Sequence, residues 1–180
     1  EFDKLDKHRV CGIKLFMGSS TGNMLVDKMN SLLNIFNGTD MLIAAHCEDQ
    51  ETIKNNIEKY KQKYKGADDI PVSAHPSIRS VPACYASSEL AVRLAKIAGA
   101  RLHILHVSTA KELQLFSDEP LANKNITAEA CVAHLLFTLT HYNSLGARIK
   151  CNPAVKRKTD REALRTAVNS GRIDVIATDH

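Results

Sequence analysis

No two of the five cysteines in this 180-residue chain form a Cys-x-x-Cys pair. Cys11, Cys47, Cys84, Cys131 and Cys151 stand apart, most of them inside apolar runs. That spacing argues against a zinc knuckle or a disulfide frame and reads as reduced, buried thiols of a cytoplasmic protein. No apolar run approaches the roughly 20 residues needed to span a bilayer, so no membrane partner is expected. Glu1-Phe2-Asp3-Lys4 reads as the middle of something and not as a signal peptide. Phosphate-cradling loops are missing as well. Neither Gly-x-Gly-x-x-Gly nor Gly-x-x-x-x-Gly-Lys-Ser/Thr follows any apolar run, which removes support for a nucleotide site. Charge of one sign is scarce: the net charge is +4, spread along the chain. Its densest basic stretch, Lys156-Arg157-Lys158, is too short to argue for nucleic acid and reads as a solvated turn. Sequence-similar repeats and low-complexity linkers are absent too.

What the chain does have is an alternation. Short runs of strand type, at Cys11–Met17, Met41–Cys47, Arg101–Val107, Ile126–Cys131 and Ile173–Thr178, are followed by stretches of helical period; Ala147–Cys151 is a weaker sixth run. Near-continuous apolar strands suit a parallel sheet covered on both faces. Helices are expected over Gly22–Phe36, Asp49–Tyr64, Tyr85–Ala98 with Gly99 as C-cap, Thr109–Phe116, and Thr159–Asn169, where Thr159 and Glu162 suggest a capping box. Residues 66–83, with Pro71, Pro76 and Pro82, form the one long loop. A βα series of this kind folds either as an open doubly wound sheet or as a closed (β/α)8 barrel, and both place ligands at the C-terminal ends of the strands.

The strand ends carry the chemistry. Lys14 lies inside the first run, His46 closes the second, His106 the third, and Asp179 follows the last. Each has an ordinary alternative: a buried lysine is costly but can be paired, a strand-end histidine is often only hydrogen-bonded, and an Asp after a strand is often a helix cap. Four such coincidences at four strand tips are less probable than one shared site. Two neutral imidazoles and a carboxylate suit Zn2+. His103 is out of phase with His106 on a strand and reads as structural. His75 and His141 read as loop or surface residues.

The segments GIKLFMGSSTGNM (12–24), AAHCED (44–49), HILHVSTA (103–110), NPAVKRKTDREAL (152–164) and DVIATDH (174–180) resemble the dihydroorotases. These are amidohydrolases of the cyclic amidase group, which also holds hydantoinases, dihydropyrimidinases and allantoinases. The resemblance runs along essentially the whole chain. It implies a fold, the C-terminal half (about strands 4–8) of a (β/α)8 TIM-like metal-dependent hydrolase barrel. Residues 1–180 would then be a single fragment, with the N-terminal strands and the C-terminal end missing and the last cut falling just past Asp179. It implies two zinc ions bridged by carbamylated Lys14, with His46 and His106 on one ion and Asp179 on the other. Burial is expected to lower the Lys14 pKa and so leave a neutral amine for carbamylation.

The implied reaction is the interconversion of N-carbamoyl-L-aspartate and L-dihydroorotate in pyrimidine biosynthesis. Asp179 would be the catalytic proton carrier, and Asn152, otherwise a turn residue before Pro153, would contact the substrate. A homodimer is expected for the full-length protein. The family's His-x-His pair occurs nowhere in this sequence. Cys131-Val132-Ala133-His134 stands where many relatives have Thr-Pro-His-His, so no role is assigned to His134. Three alternatives remain open: another cyclic amidase, a catalytically silent amidohydrolase-like scaffold, and a metal-free α/β domain. A half-barrel has open edges and an uncovered face, so these residues are not expected to fold stably alone.

Overall fold

The structure, a computed structural model, describes residues 2–18, 26, 28–66 and 68–179. Five strands, β1 Ile13–Phe16, β2 Ile43–His46, β3 Leu102–Ile104, β4 Ile126–Cys131 and β5 Val175–Ala177, form one parallel sheet in sequential order. The helices are α1 Met29–Asn37, α2 Gln50–Tyr64, α3 His75–Ile78, α4 Val81–Ala98, α5 Val132–Leu136, α6 Tyr142–Leu145 and α7 Lys158–Asn169. A doubly wound sheet reverses its strand order at a switch point. Here the order never reverses, which is the winding of a barrel and is consistent with part of a (β/α)8 fold.

Side-chain alternation divides the sheet into two unlike faces. Leu15, Ala45, Ile104 and Ala128 share one register row, and Ile43 and Leu102 belong to the same face. All six are buried. They pack with Leu32 and Phe36 of α1, Ala91, Val92, Leu94 and Ala95 of α4, and Leu164 and Ala167 of α7 in one continuous core. The opposite row, Lys14–Ala44–His103–Thr127, contributes nothing to that core. The expected covering of both faces is therefore corrected. Apolar side chains facing the helices alternate with small and polar ones facing the other way, and the alanines made the runs read as continuous.

Local chemistry sets most boundaries. Asp49 caps α2 through its Oδ2, which accepts the Thr52 amide at 2.8 Å. Gly99, at φ 64°, ends α4 in the left-handed conformation expected of it. Helix α7 begins two residues earlier than its presumed box, because Asp160 and not Glu162 reaches back, accepting the Arg157 amide at 3.2 Å. The segment Ala147–Cys151 is not a strand; Gly146–Ile149 is a turn of 3-10 helix. The expected Thr109–Phe116 helix shrinks to a 3-10 turn at Glu112–Leu115. Of the expected Gly22–Phe36 helix the portion from Met29 is helical, Val26 and Lys28 are not, and 22–25 and 27 lie outside the described residues. The loop at 66–83 holds a 3-10 turn at Val72–Ala74, all of α3 and the start of α4. Lys156 is not a solvated turn residue: it is buried, and its Nζ donates to the Ala154 carbonyl at 2.8 Å. Among the described residues no helix is long and apolar enough to cross a membrane.

Candidate metal centre

The polar face of the sheet carries Lys14 and His46, and His106 meets His46 there. Lys14 stands in its central row. It is exposed, with Nζ 5.1 Å from the centre of the Phe16 ring. The expected burial of this amine is corrected: Lys14 lies on the face of the sheet that the helices leave uncovered. Two residues further along, Phe16 aligns with His46.

His106 reaches the same place by breaking the strand pattern. β3 stops at Ile104, and simple alternation would send His106 to the apolar face. Its φ is +40° instead, and its ring meets the His46 ring edge-on, with centroids 4.7 Å apart. The non-glycine residues at positive φ among those described are Lys65, His106 and Asp179. Left-handed backbone is costly for such residues and concentrates at functional sites. Two of these three were singled out as ligands from the sequence alone.

Protons can be assigned on His46. Its Nε2 lies 3.0 Å from Glu48 Oε2. A carboxylate only accepts, so Nε2 carries a hydrogen and donates it to Glu48, which leaves Nδ1 as the ring nitrogen turned elsewhere. That Nδ1 faces His106 Nε2 at 3.0 Å. Two nitrogens bound to one tetrahedral zinc, each at about 2.05 Å, would be about 3.3 Å apart. The pair therefore fits a shared metal ion with a shift of a few tenths of an ångström. A carboxylate behind a ligating imidazole is also the usual outer support of such an ion. Burial first, then the charges of His46, His134 and Lys14, holds His106 well below the usual histidine pKa, so it stays neutral and able to ligate. Its Nδ1 is buried without a hydrogen-bond partner. No group of three or more His, Cys, Asp or Glu converges closely enough to hold an ion among the described residues; two imidazoles meet, and no carboxylate completes the set.

Glu48 is fully buried. A Cβ on Gly18 would lie 1.6 Å from the Glu48 carbonyl oxygen, so only glycine lets the chain leaving β1 cross here. Arg79 donates from its guanidinium to the same Oε2 that receives His46. Burial alone would raise the Glu48 pKa, but the His46 hydrogen bond and the Arg79 charge outweigh it and hold the carboxyl below its ordinary value.

Asp179 is exposed just beyond β5; burial pushes the Cys131 thiol up to about 12, with Asp179 adding to the rise and Lys14 opposing it. Asn152 is exposed beside a cis bond to Pro153. His103 does not point away from the site. It shares the Lys14 row and bonds Thr127 Oγ1 at 2.8 Å and Glu129 Oε2 at 3.0 Å, while the other Glu129 oxygen accepts the His106 amide. The phase argument failed because His106 lies beyond the strand. His75 is buried, not a surface residue. The sequence reading missed Glu48, Arg79 and Glu129. The His-x-Glu spacing at 46–48 was the available signal for the first, since residues two apart on extended backbone share a face. Arg79, in a loop, had none.

No family model matches the chain. The dihydroorotase of Halalkalibacterium halodurans is 32% identical over 91% of this chain and 36% of its own length. That of Staphylococcus aureus is 33% identical with the same coverage. The chain thus spans just over a third of the curated relatives it matches. Among solved structures, a D-hydantoinase from a Bacillus sp. superposes with a TM-score of 0.83 at 20% identity, over 95% of this chain and 37% of that one. The Arthrobacter aurescens L-hydantoinase superposes with 0.83 at 24% identity, over 94% and 38%. A Campylobacter jejuni dihydroorotase superposes with 0.56 at 19%, over 96% and 44%.

Proposed function

From a chain that is dihydroorotase-like in sequence over nine-tenths of its length, we propose that the complete protein hydrolyses a cyclic amide, interconverting L-dihydroorotate and N-carbamoyl-L-aspartate. The observation that carries this reading is the His46–His106 pair, two imidazoles from the ends of neighbouring strands whose facing nitrogens lie 3.0 Å apart. In this reading the chain corresponds to about strands 4–8 of the barrel, and further ligands come from outside this sequence. His46 and His106 would hold one zinc ion, Asp179 would help to hold a second, and Lys14, once carbamylated, would be shared between them. Bound there, the metal supplies Lewis acidity toward the amide carbonyl and a nucleophile available near neutral pH. Asp179 would take a proton from the attacking water as its oxygen bonds to the carbonyl carbon and deliver it to the amide nitrogen as the C–N bond breaks. Its exposure suits a group that must touch solvent and substrate in turn. Asn152 donates to the bound substrate from the loop that ends at Pro153. The substrate is a small molecule, and the protein acts as a cytoplasmic homodimer.

The sequence likeness to dihydroorotases supports this substrate over its relatives. The fold likeness to hydantoinases does not discriminate between them, because one barrel serves many substrates. The test is turnover by the full-length, zinc-loaded protein of dihydroorotate, dihydrouracil, hydantoin and allantoin, with metal content measured alongside. Dihydroorotate is expected to be preferred. Preference for another ring would move the assignment to that cyclic amidase, and a protein with neither metal nor turnover would be a scaffold.

A further inference from the structure

The segment between β2 and α4 does more than join them. Its helical turn α3 and the residue after it touch the proposed site at two separate points. At one point Arg79 donates to Glu48 Oε2, the oxygen that also receives the His46 Nε2 hydrogen. At the other, four residues earlier, His75 Nε2 lies 2.9 Å from the Cys151 carbonyl oxygen. Buried His134 approaches the Pro153 carbonyl from its own Nε2, also at 2.9 Å. A carbonyl only accepts, so both imidazoles donate. The backbone is therefore gripped immediately before and immediately after Asn152, whose own side chain is exposed.

The turn is itself anchored. The Asn56 amide donates to the Ile78 carbonyl at 3.0 Å and to Ser80 Oγ at 3.3 Å, and the Arg79 amide donates to the His75 carbonyl. Val72, just ahead of it, packs against the small cluster of Tyr142, Ile149 and Val155. A connector that only had to close the gap between β2 and α4 would need neither a buried imidazole nor a guanidinium paired with a buried carboxylate.

We propose that the turn His75–Arg79 is a positioning strut: Arg79 holds His46 in its ligating orientation through Glu48, and His75, with His134, holds the backbone that presents Asn152. The inference rests on the roles given above to His46 and Asn152. It adds His75, Arg79 and Glu48 as positioning residues and gives His134 a role. It also makes the two halves of the site separable by substitution.

The experiment compares Arg79→Gln, Arg79→Lys, His75→Ala, His134→Ala and His134→Gln in the full-length protein. Arg79→Gln is expected to speed loss of metal to a chelator about tenfold, as disturbed outer support of a ligand does. It should raise amide hydrogen exchange over residues 44–50 and leave KM unchanged, and Arg79→Lys should recover part of the metal retention. His75→Ala and His134→Ala are expected to raise KM about tenfold, the effect of misplacing roughly one hydrogen bond. In both, kcat and metal content should hold and exchange should rise over 150–156. His134→Gln, which keeps a donor, should stay close to the wild type. The strut is overturned if the Arg79 and His75 variants move the same readouts together, or if neither raises exchange at its own target. A wild-type protein with neither metal nor cyclic amide turnover would defeat the proposed function instead, and the exchange measurements would still decide the strut.

Discussion

The two faces of the sheet come from the same five strands and obey different rules. On the face that meets α1, α4 and α7, Ile43, Ala45, Leu102, Ile104, Ala128 and Ala130 are almost completely excluded from solvent and touch only apolar neighbours. One residue along each strand, the other face presents Lys14, His46, His103, Thr127 and Glu129, joined by hydrogen bonds and charge. The helix-facing side is where burial stabilises the fold. The other side tolerates costs, including buried nitrogens without partners and left-handed backbone at His106. Stability and chemistry are thus separated by the period of two along a strand, and substitution should be able to damage one without the other.

The largest separation is expected at His106. His106→Ala in the full-length protein should lose metal and lower kcat/KM roughly a thousandfold, equivalent to about 4 kcal/mol, while the melting temperature measured without metal changes little. On the opposite face, Ile43→Ala should cost about 2–5 kcal/mol of stability, read by denaturant unfolding, with turnover per folded molecule preserved. Equal losses of stability from both substitutions would break the distinction.

Acid sharpens it further. Burial lowers the His134 pKa from 6.5 to about 4. The unfolded chain takes up that proton as pH falls through about 6.5, whereas the folded chain resists until about 4. Stability is therefore present above pH 6.5 and lost progressively between 6.5 and 4, by about 3 kcal/mol in all. Unfolding free energies measured across that range should show a shallower acid slope in His134→Gln. An unchanged slope would mean that His134 is not the group responsible. Removing the α2 cap with Asp49→Ala should cost about 1 kcal/mol, with no effect on metal content. The smallest effect is expected from Lys14→Met. Because Lys14 is exposed, stability should move by no more than about 0.5 kcal/mol, yet in the full-length protein occupancy of a bridged metal pair should fall. A large stability change there would mean that the lysine is buried and paired in the complete barrel.

The alternation of short strands and helices was legible because period and capping are local. The Gly99 stop was readable from the residue type alone. His46 was legible for a similar reason: a strand tip in a βα unit is a predictable place. The burial of Lys14 was misjudged because apolar sequence neighbours do not say whether the opposite face is covered. His103 was misplaced because a two-residue rule was carried past the end of a three-residue strand. The loop at 66–83 looked featureless since the contacts of His75 and Arg79 are made with residues 76 and 31 positions away.

By itself, then, the sequence determined the elements, their order and the identity of the groups at the strand ends, since these follow from periodicity, capping and side-chain chemistry within a few residues. Tertiary structure alone decided which nitrogen of His46 faces Glu48 and which faces His106, that His106 turns back to meet it, and that Arg79 reaches Glu48 while His75 reaches the Cys151 carbonyl. Those outcomes depend on distances between segments far apart in the chain, which no local pattern encodes.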